Sequence, residues 1–278
     1  MSIKIVADSS ADLLRLDGVD FAAVPLTISA GEREFVDDAS LDIEEMLDFL
    51  RAYKGKSHTS CPGTGAYLEA FGDAEEVFCV TITRNLSGSY NAASVAAREY
   101  EAQHPGRRVH VVDTLTAGAE CTLIAEKLRD LILEGKDFDT VKGEIDEYVK
   151  HTELIFALES IHNLAANGRV NPLVARISGA LGIRVVGRAS DDGVLDVVAK
   201  PRGMQKAVIE IVNLMQARGY KGGRLRIHNA ISPEFEAALI SKVRDTFGDV
   251  DIKLQRVGGL CAFYAERGGL MIGYETEA

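Results

Sequence analysis

Four short stretches place hydroxyl side chains and glycine where an apolar run gives way to a helix-like pattern: "DSSAD" from Asp8, "HTSCPGTG" from His58, "RNLSGS" from Arg84 and "TLTAG" from Thr114. The first N–H groups of a helix have no partner within it and carry a partial positive charge. A junction with small hydroxyl residues can therefore hold a carboxylate or phosphate. Each junction taken alone also reads as a plain N-cap, because Ser and Thr are good caps; Ser87 or Ser89 would then simply close the helix that follows. A serine on a strand-to-helix turn can also act as a nucleophile, but it needs a base within reach. No GxSxG elbow surrounds Ser87 and no local motif names a base. A Ser87-dependent acyl hydrolase or transferase stays open as an alternative.

Other chemistries lack their motifs. There is no Walker A loop, no GxGxxG and no HExxH, so no metal and no cofactor are expected. Of the six histidines, His58 stands out, since it lies beside Thr59 in a Gly-rich loop where ligand contacts concentrate. The four cysteines, Cys61, Cys79, Cys121 and Cys261, form no CxxC pair. They read as reduced, mostly buried thiols rather than a zinc or disulfide framework.

The elements that must position these loops alternate. Ile3–Ala7 reads as a buried strand, Phe21–Ile28 as a second β-type run, and "SLDIEEMLDFLRAY" as an amphipathic helix capped by Ser40. "KGKSHTSCPGTG" reads as loop. Val77–Thr83 and "RRVHVVD" are further strands, with helices between and after them. Short strands alternating with helices imply a mostly parallel sheet covered on both faces. After about residue 153 the pattern changes. "NPLVARISGALG" and "SPEFEAALISKVRDTFG" read as helices, the second capped by Ser232, and Asp192-Gly193 marks a tight hairpin turn. A hairpin beside helices implies a mixed or antiparallel sheet. Two α/β domains, 1–153 and 154–278, are expected.

The chain has 278 residues and a formal net charge of −11, which disfavours nucleic acid as a partner. Residues 1–150 hold 15 Lys and Arg against 28 Asp and Glu, whereas residues 151–278 hold 16 against 14. An anion bound between the halves would draw its cations from the second. The N-terminus has Lys4 and Asp8 bracketing its apolar run and does not read as a signal peptide. No window suits a membrane span, and a cytoplasmic location is expected.

In register along essentially the whole chain, "IVADSSADL", "TSCPGTGAYLEAF", "ITRNLSGSYNAA", "NLAANGRV", "DGVLDVVAKPR" and "VGGLCAFYAERGGLMIGY" resemble the motifs of the DegV family of bacterial fatty-acid-binding proteins. "VVDTLTAG" matches less well, with Thr114 in place of Ser. The resemblance implies a two-domain α/β clamp that holds a long-chain fatty acid in an apolar tunnel between the domains and catalyses nothing alone. It further implies that Thr59 and Ser87 bind the carboxylate with Arg169 and Arg202 nearby, and that a separate ATP-dependent kinase phosphorylates the bound carboxyl group. Ser60, Gly88, His58, Arg84 and Arg184 are additional candidates around the headgroup. Arg84 replaces a small polar residue of the family pattern, and Arg184-Val185 replaces its Lys-Pro. The family's C-terminal His falls on Tyr264, which donates a hydrogen bond but is neutral near pH 7. That departure keeps a second alternative open: a different anionic lipid, bound without kinase coupling.

Overall fold

The structure, a computed structural model, describes residues 2–171 and 182–277. In chain order the first half carries β1 (Ile3–Asp8), β2 (Asp20–Val24), β3 (Thr27–Ala30), β4 (Arg33–Val36), α1 (Ile43–Ala52) and β5 (Ser57–Ser60). It continues through α2 (Thr64–Phe71), β6 (Glu76–Thr81), α3 (Ser89–Gln103), β7 (Arg108–Asp113), α4 (Ala119–Leu133) and α5 (Phe138–Tyr148). The second half runs through β8 (Thr152–Leu158), α6 (His162–Ala166), β9 (Val185–Ala189), β10 (Leu195–Ala199) and α7 (Met204–Ala217). It ends with β11 (Leu225–Ala230), α8 (Pro233–Phe247), β12 (Ile252–Arg256), α9 (Gly259–Ala265) and β13 (Gly269–Glu275).

The first sheet, ordered β2-β1-β6-β7, is parallel throughout. Every residue of β6 is buried, as a central parallel strand covered on both faces requires. Phe78 and Val80 pack beneath α4 and α5 on one face, and Val77 and Cys79 beneath α2 and α3 on the other. The second sheet, β10-β9-β8-β13-β11-β12, is mixed, with only β11 and β12 parallel. Ile155 and Ala157 of β8 join the core under α7 and α8, while Leu154, Phe156 and Leu158 alternate to the opposite face.

A third sheet, β4-β3-β5, is antiparallel and was not expected. The run Phe21–Ile28 divides at Pro25: β2 stays in the parallel sheet and β3 leaves it, since proline has no N–H to continue a ladder. The expected loop at 57–60 is β5, which supplies β3 with its second partner. Ile28, Phe35, Met46 and Leu47 of this segment share a core with Phe156, Leu158 and Phe263 of the second half.

Several caps also differ from expectation. Asp42, not Ser40, caps α1 by accepting from Glu45 N. Ser40 instead donates to Asp38. Ser232 makes no side-chain cap on α8. The β9–β10 connection spans residues 190–194 rather than two residues, with Gly193 at φ 74°. The helix expected from Asn171 lies almost wholly outside the described residues.

Candidate functional site

Three of the four hydroxyl-bearing junctions meet at the carboxyl ends of the parallel strands, and Cys61 of the fourth lies against Gly88 of the third. Asp8, at the end of β1, accepts from Ser10 N at 3.1 Å and from Ile82 N at 3.0 Å, tying the first loop to the third. Burial raises its pKa, against the lowering effect of its bonds, Ser89 among them. Thr83 N donates to Thr116 O, and Gly118 N donates to Ser10 O. The loops after β1, β6 and β7 are thereby fixed to one another at the carboxyl ends of adjacent parallel strands, where ligands bind in open α/β sheets.

Ser87 is neither a simple cap nor an activated nucleophile. Its Oγ accepts from Ser89 N at 3.2 Å and lies 3.2 Å from Ser89 Oγ. Either hydroxyl of the Ser87–Ser89 pair can be the donor, so the Ser87 proton is not committed to a base. Among the described residues no histidine bonds it. Gly88 precedes α3 and brings two loops into contact: a Cβ there would stand 2.9 Å from Cys61 Sγ. A glycine at this position lets the Ser87 loop lie against the loop that carries Thr59.

Thr59 sits on β5 opposite Ile28. Alternation along the strand turns Thr59 inward and leaves His58 and Ser60 exposed on the other face. His58 and Ser60 are therefore not brought to the site. Thr59 Oγ1 lies 2.8 Å from the phenol oxygen of Tyr264 on α9, a bond between residues 205 positions apart. Burial raises the pKa of Tyr264, partly offset by the Thr59 bond and by the charge of Arg169. Arg169 donates through Nε to Leu86 O at 3.2 Å and through Nη1 to Asn167 O.

Thr59, Ser87, Arg169 and Tyr264 all line one cavity. The other described residues that line it are apolar. The first half gives Leu26, Ile82, Leu86 and Ala117; the second gives Leu154, Phe156 and Leu158 from β8, with Met271, Leu195 and residues of α6 and α9. The lining combines hydroxyl, phenol and guanidinium donors with apolar side chains. Such a site suits an amphiphile carrying an anionic head, because burying each methylene is worth about 0.8 kcal/mol and the donors satisfy a carboxylate that would otherwise be costly to bury.

The other arginines expected near the headgroup lie elsewhere. Arg202 is exposed and, among the described residues, pairs with Ile183 in an isolated backbone bridge without lining the cavity. Arg184 pairs with Glu159 at 2.6 Å, donates to Gly268 O at 2.7 Å and stacks on Phe235. Arg84 pairs with Asp113 and lies over Tyr90, pointing outward. Sequence reasoning missed the cavity walls and the two carboxylates behind α9. Asp37 accepts from Gly259 N and Leu260 N, and Asp12 from Gly258 N. Nothing local to Asp12 or Asp37 signals a partner more than 200 residues away. Among the described residues, no group of three or more His, Cys, Asp or Glu is placed to hold a metal.

The model of the DegV family, described as one of uncharacterised proteins, matches residues 2–277. The chain belongs to the DegV family. A DegV domain-containing protein of Streptococcus pneumoniae is 42% identical over 281 residues, covering 100% of both chains. Among solved structures, a DegV protein of Eubacterium eligens loaded with heptadecanoic acid has 43% identity and a TM-score of 0.97, with 99% of this chain and 100% of that one covered. The Streptococcus pneumoniae Fatty Acid Kinase (Fak) B3 protein loaded with linoleic acid has 42% identity and a TM-score of 0.97, with 100% of both covered. The DegV fold, with its parallel first sheet and mixed second sheet, is thus the fold of this chain.

Proposed function

We propose that this protein binds one long-chain fatty acid in the cavity between its two sheets and presents the carboxyl group to an ATP-dependent fatty acid kinase, without catalysing a reaction alone. The observation that carries this reading is that Thr59, Ser87, Arg169 and Tyr264 line one cavity whose other described lining residues are apolar. The heptadecanoic and linoleic acid carried by two similar proteins support the ligand class, and the kinase named for the second supports the partner. We divide the clamp at residues 153 and 154, just inside β8, the first strand of the second sheet, although the β3–β5 segment packs on the second side. The Ser87 hydrolase reading draws no support from the geometry, since Ser87 is bonded to Ser89 rather than to a base.

The headgroup contacts follow from what each donor offers. Thr59 and Tyr264 share one hydrogen bond, so an arriving carboxylate can accept from either hydroxyl. Ser87 supplies a second proton, and Arg169 supplies the charge. Among the described residues no helix is long and apolar enough to cross a membrane. We place the protein in the cytoplasm, where four unpaired cysteines remain reduced.

Native mass spectrometry of freshly purified protein, followed by extraction and lipid identification, tests the reading. One fatty acid per chain is the expected result. A protein that is empty and also fails to take up added fatty acid overturns it. A Thr59→Ala/Ser87→Ala variant that retains its lipid with unchanged affinity overturns the site.

A further inference from the structure

Helix α9 contributes Leu260, Cys261, Tyr264 and Ala265 to the cavity, yet its own N-cap, Gly258, has no side chain to close it. The first half supplies the closure. Asp37, which follows β4, accepts from Gly259 N and, at 2.8 Å, from Leu260 N, and Asp12 accepts from Gly258 N at 2.8 Å. The two glycines are needed for this approach: a Cβ on Gly258 would stand 2.8 Å from Asp12 Oδ1, and one on Gly259 would stand 2.7 Å from Asp37 Oδ1. Asp37 is buried, at 6% exposure, so its bonds to α9 are not in competition with bulk water.

We propose that Asp37 is a positioning residue of the headgroup site: by closing the N-terminus of α9 it holds Tyr264 against Thr59, and it couples ligand retention to pH. The inference rests on the reading that Thr59, Ser87 and Tyr264 hold a carboxylate. Burial, with the nearby charge of Asp12, pushes Asp37 up to about 6, against the lowering effect of the Leu260 and Gly259 amides and of Ser9. The titratable and charged groups around it are few. Asp12 is bonded to His228 of β11 at 2.7 Å. Asp38 faces Ser40. Arg15 and Arg256 lie on the rim, Arg256 paired with Glu44 at 3.5 Å, and Cys261 lies within α9.

The direction follows from linkage. With α9 docked, Asp37 holds its proton up to about pH 6, whereas with α9 withdrawn the carboxyl is hydrated and titrates in the ordinary range near 3.9. The docked state binds the proton more tightly, so it is favoured as pH falls through 6 and weakened as pH rises above it.

The test is the dissociation rate of cis-parinaric acid from the full chain between pH 5 and pH 7.5. The wild type is expected to release it about tenfold faster at the higher pH, since one pK unit of coupling is a tenfold effect. Asp37→Asn, which cannot ionise, is expected to lose that slope. Asp37→Ala is expected to release quickly at both pH values. An Asp37→Asn variant that keeps the wild-type slope overturns the inference, as does a folded Asp37→Ala variant with wild-type rates. If Asp37→Ala does not fold, the slope of the Asn variant decides. Thr59→Ala/Ser87→Ala, measured alongside, separates the two readings. Faster release from it, with Asp37 variants that track the wild type, overturns the role of Asp37 alone. Unchanged release from it overturns the headgroup assignment itself.

Discussion

At the scale of single residues, the proposed site is a matter of where hydroxyl protons can go. Ser87 Oγ lies 3.2 Å from Ser89 Oγ and either can be the donor, so the Ser87 proton can go to Ser89 or, in the proposed complex, to a ligand. Tyr264 and Thr59 form the other half, 2.8 Å apart. Tyr264→Phe removes that bond and one headgroup donor while keeping the ring. We expect fatty acid affinity to fall by about 0.5–1.5 kcal/mol with little change in thermal stability, as read by displacement of a fluorescent fatty acid and a melting curve. Small hydroxyl residues beside glycine marked junctions that could hold an anion, but it was the family resemblance, not the junctions, that singled out Thr59 and Ser87. The arginines were less legible. An arginine's charge is visible in sequence but its direction is not, and Arg84, Arg184 and Arg202 each turn to another partner or to solvent.

At the scale of elements, α9 and β8 carry the cavity. Alternation along β8 sends Leu154, Phe156 and Leu158 to the ligand side and Ile155 and Ala157 to the helical core. The α9 helix is held at both ends. Asp12 and Asp37 close its start, while Asn163 Nδ2 donates to Phe263 O at 2.8 Å near its end. Gly259→Ala would force a Cβ to 2.3 Å from Leu41 Cδ2 and 2.7 Å from Asp37 Oδ1. We expect it to cost about 1–3 kcal/mol, the range for overpacking a well-filled site. Denaturant unfolding checks this, and the variant should also hold fatty acid less tightly. Most strands and helices could be read from periodicity. The third sheet could not, because β5 is short, polar and half-exposed and becomes a strand only by pairing with β3.

At the scale of the whole molecule, the uneven charge of the two halves serves their contact. Glu126 of α4 meets Arg226 and Lys253 of the second half at 2.7 and 2.8 Å, and Asp130 meets Arg224 at 2.7 Å. Only Arg169 among the cations discussed reaches the cavity. Between the halves, Glu120 is buried with one oxygen bonded to Thr152 at 2.7 Å and the other without a partner. Burial pushes it up to about 7. Its folded pKa exceeds the ordinary value, so the folded state gains as pH falls through 7 and loses that gain as pH rises above it. Melting curves should show a higher Tm at pH 6 than at pH 8. Glu120→Gln should reduce that difference and raise Tm at pH 8 by about 4 °C. A wild-type slope of opposite sign would count against a buried, proton-holding Glu120.

The borrowed closure of α9 also bears on recombination. A chimera joining residues 1–151 of one relative to 152–278 of another keeps both large sheets whole, yet it parts a helix from the carboxylates that seat it. Exchange at that junction should yield a working binder only when the donor of the first segment brings acids equivalent to Asp12 and Asp37, and the donor of the second brings the paired glycines. The unit of inheritance for the headgroup site is therefore larger than either half of the chain.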